Sequence, residues 1–165
     1  AIERIYEYNS KIKLIIILRN PIDRAFSHWN MERDKGRESR SFWQAIVDEE
    51  SKINSSDRTQ DKRFSYLDRG YYSSQIKNIY KYFNEDQLLV LRNDLLRVEP
   101  DRILMHIARF LAISSFKPIK HREVNSRDYP VRMNKSELTF LKKFYEEEFD
   151  SLENLLGWDL SSWRK

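Results

Sequence analysis

The chain has 165 residues, with 30 Lys plus Arg against 26 Asp plus Glu and a net charge of +4. Hydrophobic residues make up 40% and charged residues 34%, enough apolar material for one core under a wet, charged exterior. Cysteine is absent, which excludes disulfides, thiolate metal sites and cysteine nucleophiles. The three glycines, Gly36, Gly70 and Gly157, are too few and too scattered for a Walker A loop or a dinucleotide fingerprint. No apolar run approaches the roughly 20 residues of a membrane span, so no membrane partner is expected.

In chain order, Ile2, Ile5 and Tyr6 form a short helical stripe that leads through Asn9-Ser10 into Leu14-Ile15-Ile16-Ile17-Leu18. That run is apolar at every position, the pattern of a central strand buried on both faces of a parallel sheet. Arg19-Asn20-Pro21-Ile22-Asp23 follows. Asn20 is a natural N-cap, Pro21 occupies the first helical position where no N–H is needed, and Asp23 suits the first turn. Ile22, Ala25, Phe26 and Trp29 make the buried stripe of this helix, leaving Ser27 and Asn30 on other faces.

Ser41 caps a second helix bearing Phe42, Ala45 and Ile46, and residues 51–63 read as a polar loop. Gly70 precedes a helix with Tyr72, Ile76, Ile79 and Tyr80 on one face, followed by a second apolar strand, Leu88-Leu89-Val90-Leu91. Pro100-Asp101 opens a further helix carrying Ile103, Leu104, Ile107, Ala108 and Leu111. Residues 117–133 read as a loop bracketed by Pro118 and Pro130. Ser136 and Glu137 are expected to begin a last long helix through Tyr145, with a final turn stopped by Gly157. The charged runs 33–40 and 146–150 are expected to be solvated faces. The alternation of helix and strand predicts an α/β fold with a parallel sheet sandwiched by helices, in one domain spanning residues 1–165.

The chemistry concentrates where the first strand ends. Arg19 stands at its carboxyl end and Ser27 on the helix that follows, a placement suited to a phosphate: a guanidinium clamps two oxygens and a hydroxyl donates a short hydrogen bond. The run from Lys13 to Ser27 resembles the 3′-phosphate-binding segment of sulfotransferases that use 3′-phosphoadenosine 5′-phosphosulfate (PAPS), in the form strand-Arg-x-Pro-x-x-Arg-Ala-x-Ser. Arg69-Gly70-Tyr71-Tyr72, Gln87 to Leu91 with Asp94-Leu95, and Leu155-Leu156-Gly157-Trp158 extend the resemblance to the bacterial and heparan-type branch.

The resemblance implies a fold like that of P-loop NTPases and sulfuryl transfer from PAPS to a hydroxyl or amine of a small-molecule or carbohydrate acceptor, without a metal. It implies that Arg19 and Ser27 hold the 3′-phosphate. Arg127, in Arg127-Asp128-Tyr129-Pro130, fits the late basic loop that adds a further phosphate contact. Relatives carry a lysine-bearing 5′-phosphosulfate loop and a general base, both expected upstream of Ala1. The fold is therefore expected to be incomplete at its N-terminus, the chain to hold the 3′-phosphate half of the site without turnover, and an exposed sheet edge to favour self-association. A histidine one turn after the serine is replaced by Met31. The bacterial branch implies a cytoplasmic protein, ahead of the Golgi lumen of the heparan-type branch. The rival expectation is a non-catalytic nucleotide- or nucleic-acid-binding α/β module; aromatics that follow helical periods rather than forming a stacking platform count against nucleic acid.

Overall fold

The computed structural model describes residues 1–55, 63–116 and 129–165. By its internal contacts the chain divides into two compact units, one of Ala1–Arg19 with Gln75–Asp128 and the other of Asn20–Ser74 with Tyr129–Lys165.

The first unit holds the sheet. Helix α1 (Ile2–Tyr8) leads to β1 (Leu14–Leu18), which pairs in parallel with β2 (Leu88–Arg92) in the register Leu14 to Leu88 through Leu18 to Arg92. Gln87 anchors the register, donating from Nε2 to the carbonyls of Ser10 at 2.8 Å and Ile12 at 3.2 Å. After β2 come α5 (Asn93–Val98) and α6 (Pro100–Leu111). Leu89 and Leu91 of β2 pack with Ile103 into a buried cluster, and Leu95, Leu96, Ile107 and Phe110 close around it. Lys13 donates to the Phe110 carbonyl at the end of α6.

Within this unit the expectation for β1 needs correction. Its burial alternates, and Ile15 and Ile17 are 37% and 47% exposed. In a parallel pair, partners in register point to the same face, so Ile15 and Ile17 share the face of Leu89 and Leu91. The apolar stripe of α6 lies over β2 and leaves that side of β1 uncovered. Helix α5 was not foreseen, because six residues hold too little periodicity to read.

The second unit is helical. It comprises α2 (Pro21–Asp34), α3 (Phe42–Ile53), a 3-10 turn at Asp68–Gly70, α7 (Lys135–Phe144) and α8 (Glu146–Leu156); α4 (Tyr72–Tyr80) starts in it and runs on into the first unit. Ile22, Ala25, Phe26 and Trp29 are buried as their spacing requires. Phe26 meets Phe42 edge-on at 5.0 Å. Tyr145, Phe149, Leu152, Leu160 and Trp163 complete the core.

Four readings change here. Helix α3 continues to Ile53, so the polar text of 51–53 is helical, and residues 56–62 lie outside those described. Asn30 is buried, its Nδ2 donating to the Phe26 carbonyl one turn back at 3.0 Å. The last helix is two helices, and the first is capped by Asn134, which exchanges hydrogen bonds with Glu137 in a capping box. The charged runs are not plain solvated faces, because Glu38 and Glu148 are buried at 6% and 3% exposure.

Candidate functional site

The strand-to-helix turn forms as its residues dictate. Asn20 Oδ1 accepts from the Ile22 N–H at 3.0 Å, the Asn20 carbonyl takes the Arg24 N–H at 2.9 Å, and Pro21 opens α2. Arg19, immediately before this turn, is exposed. Ser27 stands six residues into α2, about 9 Å along the axis from Pro21, rather than among the first-turn amides.

Ser27 is half-buried, and its Oγ lies 2.8 Å from the Tyr129 hydroxyl. The ring of Tyr129 also packs edge-on against Phe26 at 5.9 Å. A hydroxyl pair like this can direct protons at an anion from either oxygen. Tyr129 is the residue that sequence reasoning passed over: it sits in the Arg127-Asp128-Tyr129-Pro130 stretch already singled out, but nothing local announces a partner 102 residues away. Arg127 itself lies outside the described residues.

His28, the neighbour of Ser27, faces another way and packs edge-on against the Tyr66 ring at 4.9 Å. Burial lowers its pKa, and the charges of Arg24 and Arg69 lower it further, so the imidazole is neutral at pH 7. It is a packing residue. Of the two tyrosines that follow Gly70, Tyr72 is buried core, and Tyr71 packs on Phe144 and Tyr145 at 5.6 and 6.0 Å. Met31, one turn after Ser27, is 36% exposed.

A groove of about 420 Å³ opens alongside α2 in the same unit, lined among others by Phe26, Trp29, Arg33, Arg40, Arg132 and Glu137. The Arg33 guanidinium lies over the Trp29 ring at 5.2 Å. Among the described residues no helix is long and apolar enough to cross a membrane.

The parallel pair, with a helix following the first strand in the chain through a capped turn, places the molecule in the α/β class. The chain belongs to the sulfotransferase domain family, which residues 5–150 match. A solved relative is a sulfotransferase from Alicyclobacillus acidocaldarius, similar with a TM-score of 0.82 and 28% identity over 99% of this chain and 62% of that one. The human bifunctional heparan sulfate N-deacetylase/N-sulfotransferase 1 is 26% identical over 181 residues, covering 93% of this chain and 20% of that protein. Human heparan sulfate glucosamine 3-O-sulfotransferase 5 is 30% identical over 110 residues, 66% of this chain and 31% of that protein. The chain thus spans less than a third of the length of these two curated relatives.

Proposed function

We propose that this chain takes part in sulfuryl transfer from PAPS and carries the 3′-phosphate half of the site. The observation that carries the reading is the Ser27 to Tyr129 hydroxyl contact at 2.8 Å. It joins the helix of the Arg-x-Pro-x-x-Arg-Ala-x-Ser segment to the Arg-x-x-Pro segment, the two stretches to which the resemblance gives the phosphate. In this reading the Arg19 guanidinium takes two phosphate oxygens, Ser27 donates a hydroxyl proton with Tyr129 as its partner, and Arg127, two residues before Tyr129 in the sequence, adds a second cation.

The reaction forms a bond from an acceptor oxygen or nitrogen to sulfur as the bridging S–O bond of PAPS breaks. The acceptor proton passes to a base, and adenosine 3′,5′-bisphosphate (PAP) leaves. Charge on the leaving phosphate calls for cations beside the 5′ end, which we assign, with the base, to residues other than these 165. The two human relatives are named for heparan sulfate, which supports a carbohydrate acceptor. A second copy of the chain is the proposed partner for the uncovered side of β1.

Calorimetry with PAP tests the reading. Arg19→Ala should lose about 1.5–3 kcal/mol of binding, roughly ten- to a hundredfold, and Ser27→Ala less, because a neutral donor is weaker. Unchanged affinity in Arg19→Ala would sink it. A radiolabelled PAPS assay with hydroxyl and amine acceptors should show no turnover by these residues alone, and robust turnover would refute the half-site assignment.

A further inference from the structure

We infer that Asn20 is a positioning residue, a two-ended clip that ties the N-terminal end of α2 to the C-terminal segment. The inference rests on the 3′-phosphate reading above. The Asn20 side chain is used at both ends: Oδ1 accepts from the Ile22 N–H at 3.0 Å, and Nδ2 donates to the Trp163 carbonyl at 3.0 Å, 143 residues away. A primary amide of this length supplies both an acceptor and a donor; aspartate lacks the donor, and serine cannot reach both partners. Capping alone therefore does not require asparagine, since serine and aspartate cap equally well. The second bond does.

The far end of the clip is itself held. Trp163 and Leu160 are buried at 3% and 0% exposure, and the Trp163 N–H returns to the Leu160 carbonyl at 2.8 Å. The Leu160 N–H donates to Glu153 Oε1 of α8 at 2.8 Å. Arg164 closes the clasp, donating to Asp150 and Glu153 at 2.7 Å each while its guanidinium lies over the Phe149 ring at 5.1 Å. The Trp163 carbonyl is thus a fixed point on α8, and Asn20 is moored to it.

The mooring matters because of what Asn20 adjoins. Arg19 precedes it by one peptide, and Ser27 is seven residues on along the same helix, so the setting of this turn governs both proposed phosphate ligands at once. A hydrogen bond that holds the ligand-competent arrangement raises affinity without touching the ligand. Linkage demands the reverse effect too: a ligand that favours the moored turn must tighten the clasp.

The test combines PAP titration with amide hydrogen exchange on the full chain. Asn20→Ser, which keeps the cap and severs the tie, should weaken PAP binding about fivefold, the worth of one neutral hydrogen bond, and lower the thermal midpoint by only roughly 2–4 °C. PAP should slow exchange of the Leu160 and Trp163 amides in the unsubstituted chain and fail to do so in Asn20→Ser, a ligand-dependent effect that a purely structural role would not produce. Arg164→Ala loosens the clasp from its other end and should weaken PAP about twofold, which keeps the inference testable if Asn20→Ser folds poorly.

Binding lost in Arg19→Ala but unchanged in both Asn20→Ser and Arg164→Ala, with equal protection of the tail, overturns the clip and leaves the phosphate reading intact. No binding of PAP by the unsubstituted chain, or full binding by Arg19→Ala, overturns the phosphate reading and the clip with it.

Discussion

Gly70 lies directly against the ring of Tyr145. A Cβ added at Gly70 would lie 2.5 Å from the Tyr145 hydroxyl, and that ring is completely buried, with its Oη donating to the Leu67 carbonyl at 2.8 Å. Neither side can yield: moving the ring breaks a buried hydrogen bond, and moving the glycine displaces the 3-10 turn before α4. Gly70→Ala should therefore destabilise the protein by about 1–3 kcal/mol, read as a lower urea midpoint at unchanged slope. The reason is contact rather than backbone angle, because Gly36 and Gly157, not Gly70, hold the left-handed conformation. At the proposed phosphate site, Tyr129→Phe removes the partner of Ser27 and keeps the ring on Phe26. PAP affinity should fall by about fivefold, with stability little changed.

At the scale of elements, buried carboxylates organise the segment from Ser65 to Ser73. Glu49 of α3 accepts the N–H groups of Tyr66 at 2.6 Å, Leu67 at 2.8 Å and Asp68 at 3.0 Å. Glu148 of α8 accepts from the Ser73 N–H and hydroxyl at 2.8 and 2.7 Å, at the start of α4. Glu38 accepts the Tyr66 hydroxyl at 2.8 Å and the Arg40 guanidinium at 2.6 Å. Glu49→Gln turns an NH₂ group toward buried N–H donors and should cost about 3 kcal/mol, lowering the thermal midpoint by roughly 6–12 °C.

Glu38 gives the acid limb of stability. Burial pushes its carboxyl up, but hydrogen bonds from Arg40 and Tyr66 together outweigh this and hold it down to about 2, against an ordinary 4.5. The unfolded chain therefore binds this proton first as pH falls, so the stabilisation is full above pH 4.5 and is lost between 4.5 and about 2. Glu49 acts with opposite sign, because burial raises its carboxyl despite the backbone donors, and it costs stability once pH rises above the ordinary carboxylate value. Comparing Glu38→Gln with the unsubstituted chain isolates the first effect: urea midpoints measured from pH 5 to pH 2 should fall less steeply in the variant.

For the whole molecule, a ligand that binds only the folded state must raise its melting point. At a PAP concentration 100 times its Kd the gain is about 2.7 kcal/mol, roughly 5–10 °C for a chain of this size, and Arg19→Ala at the same concentration should keep only about 0.4–1.4 kcal/mol, roughly 1–6 °C. Rising salt should shrink the shift, since much of the attraction is between charges. The uncovered side of β1 makes a separate prediction. Sedimentation should show association that grows with concentration and weakens in Ile15→Lys or Ile17→Lys, both exposed positions whose change leaves the buried cluster untouched.

What the amino-acid sequence determined by itself is whatever acts over a few residues: the apolar run that becomes β1, the Asn20-Pro21 start of α2, the stripe from Ile22 to Trp29, the Ser41 cap and the stop at Gly157. The placement of Arg19 after β1 and of Ser27 on α2 was legible for the same reason, since they bracket one strand-to-helix turn. Tertiary structure decided the rest. Glu38 and Glu148 sit in charged text that reads as surface; Arg40 is a local partner of Glu38, but the Tyr66 hydroxyl 28 residues from Glu38 and Ser73, 75 residues from Glu148, are brought there only by packing. Ser27 finds Tyr129 across 102 residues, and Asn20 finds Trp163 across 143. A cap or a helical stripe is specified by neighbours within one or two turns, whereas a buried polar group is specified by whichever distant donor or acceptor the packing brings within about 3 Å, and no local pattern encodes that distance.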